Sequence, residues 1–76
     1  MTLQETIGAN IRRMRIEKGL SQNQLSFLVF GRHYNCLVSN WERGMFCPSA
    51  FALKSLSEAF GCSIDALFKE VQDADA

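Results

Sequence analysis

The stretch from Gly19 to Gly44 constrains the fold of this chain more than any other part of the sequence. Its first helix begins at Ser21, and Gln24 follows three positions later, which is the capping-box pattern of a helix start. Apolar residues then recur at helical spacing, namely Leu25, Leu28 and Val29. Gly31 is a natural helix end, because glycine readily adopts the left-handed conformation found there. This part of the stretch therefore predicts one short helix.

A second helix is predicted from Tyr34 to Arg43, with Gly44 ending it. Val38 and Trp41 are three positions apart, so both can face the interior. The opposite face is left to four mostly polar residues: Asn35, Cys36, Ser39 and Asn40. Because an asparagine side chain can donate to and accept from adenine at once, this face suits the reading of base edges in DNA.

Helix signals also surround this central stretch. Thr2 and Glu5 form another capping-box pattern, which opens a first helix ending near Lys18. Its buried stripe is expected to be Leu3, Ile7, Ile11 and Met14. Gly8 lies inside that helix at some cost in helix propensity. A fourth helix is predicted after Ser49, with an inner face of Leu53, Leu56, Ala59 and Phe60, and a fifth after Ser63, with apolar Ile64, Leu67 and Phe68.

Three segments together resemble the Cro/phage-repressor (XRE-type) family of helix-turn-helix DNA-binding domains. They are IGANIRRMRIEKGLSQNQL, VSNWERG and PSAFALKSLSEAFGCSIDALF, and the resemblance extends over about residues 5 to 68. It implies an all-α fold, a compact five-helix lambda-repressor-like domain with a central helix-turn-helix. We expect this DNA-binding domain to span residues 1–70 and a short acidic tail to follow at 71–76.

The resemblance also implies roles for individual residues. Arg15 and Glu42 match a salt bridge between the first helix and the W-E-R-G segment, although two unrelated surface charges are the alternative. The residues matched to base contacts are Asn35, Cys36, Leu37 and Asn40. The residues matched to contacts with the DNA backbone are Gln22, Asn23, Arg32, Tyr34, Ser39 and Arg43. For each of them the alternative is an ordinary solvated side chain, and Cys36, a poor hydrogen-bonding residue, could simply permit close approach.

The sequence departs from the family pattern in two places. The interval between Ser26 and Val38 is about two residues longer than usual, so either the second helix runs further or Arg32-His33-Tyr34 makes a wider turn. The loop Met45-Phe46-Cys47 is apolar where relatives often carry basic residues. We expect this loop to contribute to a dimer interface or to pack under the fourth helix. The predicted interface residues are Phe46, Phe51 and Phe68, although Phe51 could instead be covered by the N-terminal helix.

Charge is unevenly distributed, although eight basic residues balance eight acidic ones in the whole chain. Residues 1–44 hold six basic and three acidic residues, whereas residues 45–76 hold two basic and five acidic residues. A basic half that carries the helix pair suits DNA binding on one side of the molecule.

The remaining features predict a simple cytoplasmic protein, bacterial or phage-encoded. The chain has the length of one small domain, and we expect neither a signal segment nor a membrane span. Its three cysteines are Cys36, Cys47 and Cys62, which lack a C-x-x-C spacing. His33 is the one histidine of the sequence that could join them as a metal ligand. We therefore expect free thiols, no metal ion and no cofactor.

Three functional hypotheses follow. The first is a sequence-specific regulator of transcription, a repressor or small controller protein, which binds a palindromic operator in double-stranded DNA as a homodimer. The second is a protein-interaction module of the same fold, such as an antitoxin that holds a protein partner. The third, an enzyme, is not expected, because the sequence shows no catalytic residues in the form of a nucleophile–base pair, a carboxylate pair or a phosphate-binding glycine loop.

Overall fold

A computed structural model describes residues 2–70, except for the Asn35 side chain, and arranges them in five α-helices. Their bounds are Leu3–Glu17 (α1), Gln22–Phe30 (α2), Asn35–Glu42 (α3), Ala50–Phe60 (α4) and Ile64–Phe68 (α5). The predicted five-helix, all-α fold is confirmed. The acidic tail predicted at 71–76 lies outside the described residues. No helix within residues 2–70 is long and apolar enough to cross a lipid bilayer.

Local capping determines where four of these helices begin. The side chains of Thr2, Ser21, Ser49 and Ser63 each accept a hydrogen bond from a main-chain N–H three residues further on. At α1 and α2 the reciprocal bond of the capping box is also present. At α1, the main-chain N–H of Thr2 donates to Glu5 and lowers the pKa of that carboxyl group.

All five helices contribute to one hydrophobic core. Its buried residues are Ile7, Ile11, Leu25, Val38, Trp41, Ala52, Leu56, Phe60 and Leu67. Helix α1 packs against α3 and α5, while α2 packs against α3 and α4. The helix-turn-helix is therefore supported from behind by the first and fourth helices, and its outer side remains open.

The buried stripe of α1 differs from the prediction at its start. Leu3 is 54% exposed, whereas Thr6 and Asn10 are buried beside Ile7 and Ile11. The Asn10 side chain donates to the main-chain oxygens of Leu67 and Lys69, each at 2.8 Å. A buried amide thus satisfies carbonyl groups at the end of α5, which lack partners within their own short helix.

Gly8 allows α1 and α3 to approach closely. A β-carbon at this position would lie 2.1 Å from the main-chain oxygen of Trp41, far inside van der Waals contact. No side chain fits between the two helices at this point. The glycine therefore fixes how deeply α3 sits against the first helix.

Candidate nucleic-acid interface

The connection between α2 and α3 is a wide turn, so the second of the two predicted alternatives is the one that the structure adopts. Helix α2 ends at Phe30, and Gly31 follows with a positive φ of 74°. Helix α3 begins only at Asn35, after Tyr34 in the N-cap position. The additional residues therefore lie in the turn and do not extend α2.

The hydroxyl group of Ser26 holds this wide turn in place. It is fully buried and donates to the main-chain oxygen of Arg32 at 2.6 Å. It also accepts a hydrogen bond from the main-chain N–H of Tyr34. One hydroxyl thus satisfies two main-chain groups that belong to no helix, and it determines where α3 starts. This role of Ser26 was not predicted from the sequence, where the residue served only to measure the interval to Val38.

Aromatic contacts stabilise the same turn. The rings of Phe30 and Tyr34 meet edge to face with their centroids 5.4 Å apart, and Phe30 lies 5.7 Å from the Trp41 ring. On the outer side, the His33 ring meets the Phe27 ring at 4.2 Å. These contacts connect the end of α2 to both the beginning and the buried side of α3.

A buried ionic network fixes the other end of α3. Arg15 donates through Nε and Nη2 to the Glu42 carboxylate, at 2.6 and 3.1 Å. The side chains are only 13% and 4% exposed, so water screens the pair weakly. Gln22 donates to the same carboxylate at 3.1 Å, and Arg15 also donates to the main-chain oxygen of Leu20 at 2.8 Å. This network connects α1, α2 and α3, and it contains the Arg15–Glu42 pair that the resemblance implied.

The predicted base-contacting residues do not all share one environment. Cys36 is exposed, and Asn40 is half-buried. Asn35 is the first residue of α3. Leu37 is partly buried and packs against the hydrophobic core, a structural role that was not predicted for it. Among these four, Cys36 and Asn40 form part of an exposed ridge of α3, since residues four apart lie on the same side of a helix.

The residues predicted to contact the DNA backbone flank this ridge. Arg32 donates to the Tyr34 hydroxyl at 3.2 Å, and its guanidinium group lies 5.7 Å from the centre of that ring. Asn23, in the first turn of α2, is hydrogen-bonded to His33 at 2.6 Å. At the far end, Arg43 donates to Asn40 at 2.9 Å. Gln22 and Ser39, which are likewise predicted to contact the DNA backbone, are half-buried.

The predicted interface residues for a dimer are exposed. Phe51 is 87% exposed, Phe46 is 54% exposed and Phe68 is 39% exposed. The alternative that Phe51 is covered by the N-terminal helix is therefore wrong for this chain. Cys36 and Cys47 are exposed free thiols, and Cys62 is partly buried.

These features define a helix-turn-helix module: two short helices, a turn between them and an exposed second helix that the rest of the domain supports. No family model matches the chain. It is 34% identical over 64 residues to the HTH-type transcriptional regulator y4dJ of Sinorhizobium fredii, a match covering 83% of this chain and 79% of that protein.

Solved structures show the same similarity. The restriction-modification controller protein C.AhdI from Aeromonas hydrophila superposes with a TM-score of 0.75 and 32% identity, covering 86% of this chain and 96% of the other. The clp gene regulator ClgR from Corynebacterium glutamicum gives a TM-score of 0.78 and 28% identity, covering 88% and 69%. The chain belongs to the family of helix-turn-helix transcriptional regulators.

Proposed function

We propose that this regulator binds a palindromic operator as a homodimer, with α3 of each protomer in the major groove. The observation that carries the proposal is the support of α3. A buried ion pair holds its C-terminal end, the Ser26 hydroxyl holds its N-terminal end, and its outer ridge stays accessible. A polar ridge on a rigidly held helix is what direct reading of base edges requires.

Within this proposal, residues that contact bases specify the sequence and residues that contact phosphates position the protein. Asn35, Cys36 and Asn40 are proposed for the bases, with Leu37 at the edge because much of its surface already packs on the core. Gln22, Asn23, Arg32, Tyr34, Ser39 and Arg43 are proposed for the backbone. A bacterial or phage-encoded regulator of this kind would meet its DNA in the cytoplasm.

The dimer is proposed because one helix of this size contacts too few bases to define a site. Two-fold dimers place their recognition helices about 34 Å apart, one turn of DNA, on the two halves of a palindrome. The exposed rings of Phe46, Phe51 and Phe68 provide apolar surface that a second copy of the chain could bury.

Selection of binding sites from a random DNA pool at near-physiological salt tests the proposal. We expect a palindromic consensus whose half-sites are one helical turn apart, with a large affinity ratio between this operator and random DNA. Weak binding without a consensus, falling steeply with salt, would contradict a sequence-specific role.

The dimer has its own test. Phe51→Ser should shift the protein toward the monomer in sedimentation velocity and weaken operator binding, whereas Ile16→Ser provides a matched control. Ile16 is also an exposed apolar residue, 52% accessible, but it lies in α1 outside the proposed interface. If Phe51→Ser left both the oligomeric state and the operator affinity unchanged, this interface would be wrong.

A second candidate function is binding of a protein partner, as in an antitoxin. The specific observation in its favour is the large exposure of the Phe46 and Phe51 rings, which are unusual on a free surface. Failure of the site selection, combined with a monomeric protein, would place this function first.

A further inference from the structure

Three residues form one ridge along the exposed side of α3 and its end. Cys36, Asn40 and Arg43 are spaced at i, i+4 and i+7, so their side chains follow one another along the helix surface. Val38 and Trp41, between them in sequence, are buried in the core. At the C-terminal end of this ridge, Nη2 of Arg43 donates to Oδ1 of Asn40 at 2.9 Å.

This hydrogen bond determines which way the Asn40 amide is turned. A guanidinium group carries only donors, so the amide oxygen must face Arg43 and the amide NH2 must face away. The main chain also holds Asn40 in place, because its carbonyl oxygen accepts from the N–H of Met45 at 2.9 Å. Helix α3 ends at Glu42 with Arg43 as its C-cap residue, and Gly44 then turns the chain with a φ of 74°.

The pair therefore presents a different pattern from that of a lone asparagine. A lone asparagine pairs with adenine by accepting from N6 and donating to N7. In this pair a charged donor already takes one of the two lone pairs of the accepting oxygen. The groups that remain for a ligand are the amide N–H groups of Asn40, the other N–H groups of Arg43 and one lone pair of the Asn40 oxygen, so donors predominate.

We propose that Asn40 and Arg43 act as one unit that reads a guanine in each half-site. This inference rests on the proposed function and names the base that this part of α3 selects. Guanine presents two acceptors in the major groove, N7 and O6, which match a surface of donors. Adenine presents an N6 donor beside N7, and the one acceptor that this surface offers to N6 is the Asn40 oxygen that Arg43 already engages. Arg43 thus gains a role in specificity beyond contact with the DNA backbone.

The test compares selected binding sites of the wild type with those of Asn40→Ala, Arg43→Met and Arg12→Met. The base position that loses its preference in Asn40→Ala is the one that Asn40 reads. In the wild type this position should be guanine, favoured over adenine by roughly tenfold in measured Kd. Arg43→Met keeps the length of the side chain but removes its donors, so the freed oxygen of Asn40 can accept from adenine N6. Adenine should then rise at that position to at least the level of guanine.

Arg12→Met is the control for loss of a positive charge, because Arg12 is an exposed residue of α1 outside the α3 ridge. It should leave the preferred base unchanged. The inference is overturned if the wild type prefers adenine at the position that Asn40 reads, or if Arg43→Met does not raise adenine there. A wild type that selects no consensus at all would instead overturn the proposed function, and this inference with it.

Discussion

Replacement of Gly8 by alanine tests whether the depth of α3 in the fold depends on the absence of one methyl group. The added β-carbon would lie 2.1 Å from the Trp41 main-chain oxygen and 3.1 Å from that of Glu42. A comfortable carbon–oxygen contact is about 3.3 Å or more, so α1 and α3 would have to separate by roughly 1 Å. The Trp41 oxygen cannot simply turn aside, because it accepts the N–H of Gly44 at 3.0 Å at the end of α3.

Two opposing terms decide the sign of the change in stability. Alanine is favoured over glycine in a helix interior by about 1 kcal/mol. Overpacking in a closely packed interior costs typically about 1–3 kcal/mol, and the upper part of that range applies when the obstacle is backbone. We therefore expect Gly8→Ala to lower the free energy of unfolding by about 1–2 kcal/mol, which corresponds to a fall of roughly 4–16 °C in Tm for a domain of this size.

Thermal and urea unfolding followed by circular dichroism would measure this effect. Ala9→Gly is the matched control, because Ala9 is exposed in the same helix. This substitution changes helix propensity and should lower the free energy of unfolding by about 1 kcal/mol. If Gly8→Ala raised Tm, as propensity alone predicts, the close approach of α1 and α3 would be refuted. Operator affinity of the variant, measured well below its Tm, would show whether the displaced α3 still fits the groove.

Three further substitutions test the other supports of the fold. Glu42→Gln should lower the free energy of unfolding by about 3–5 kcal/mol, because it leaves the Arg15 charge buried without its partner. Glu17→Gln, in an exposed ion pair, should lower it by less than about 1 kcal/mol. Equal Tm values for the two variants would contradict this account. Asn10→Ala should lower the free energy of unfolding by about 1–3 kcal/mol and accelerate amide hydrogen exchange in α5, because two main-chain oxygens there lose their donor. Unchanged exchange would show that the Asn10 side chain does not stabilise α5. Ser26→Ala should lower the free energy of unfolding by about 1–3 kcal/mol and weaken operator binding. A variant with wild-type affinity for the operator would show that the turn does not need the hydroxyl.

The helix starts were predictable because capping is a local interaction. Thr2 with Glu5 and Ser21 with Gln24 interact within one helical turn, so the sequence alone indicates where α1 and α2 begin. Val38 and Trp41 were assigned to the core from their spacing in a short helix, and both are buried. In each case the residues that decide the outcome are neighbours in sequence.

Features that depend on distant segments were not predictable in the same way. Periodicity assigned Leu3 to the buried stripe of α1 and placed Leu28 in the apolar stripe of α2, yet they are 54% and 57% exposed, because no neighbouring helix covers those positions. Periodicity also missed Asn10, whose partners lie more than fifty residues away in the chain. A polar residue beside Ile7 and Ile11 on an apolar face was the available signal, since a buried amide requires hydrogen-bond partners.

Predicting the proposed base-contacting ridge requires both kinds of information. The sequence indicated that Asn40 belongs to the exposed side of α3, but only the structure shows its oxygen bonded to Arg43. The groups that support α3, the Glu42 carboxylate and the Ser26 hydroxyl, are largely or fully buried. Substitutions on the ridge therefore leave the supporting contacts intact, and their effect should appear in sequence preference with little change in stability. Substitutions in the supporting groups should change stability first and affinity as a consequence. Measuring both quantities for Asn40→Ala and Glu42→Gln would separate the residues proposed to read DNA from the residues that hold α3 in place.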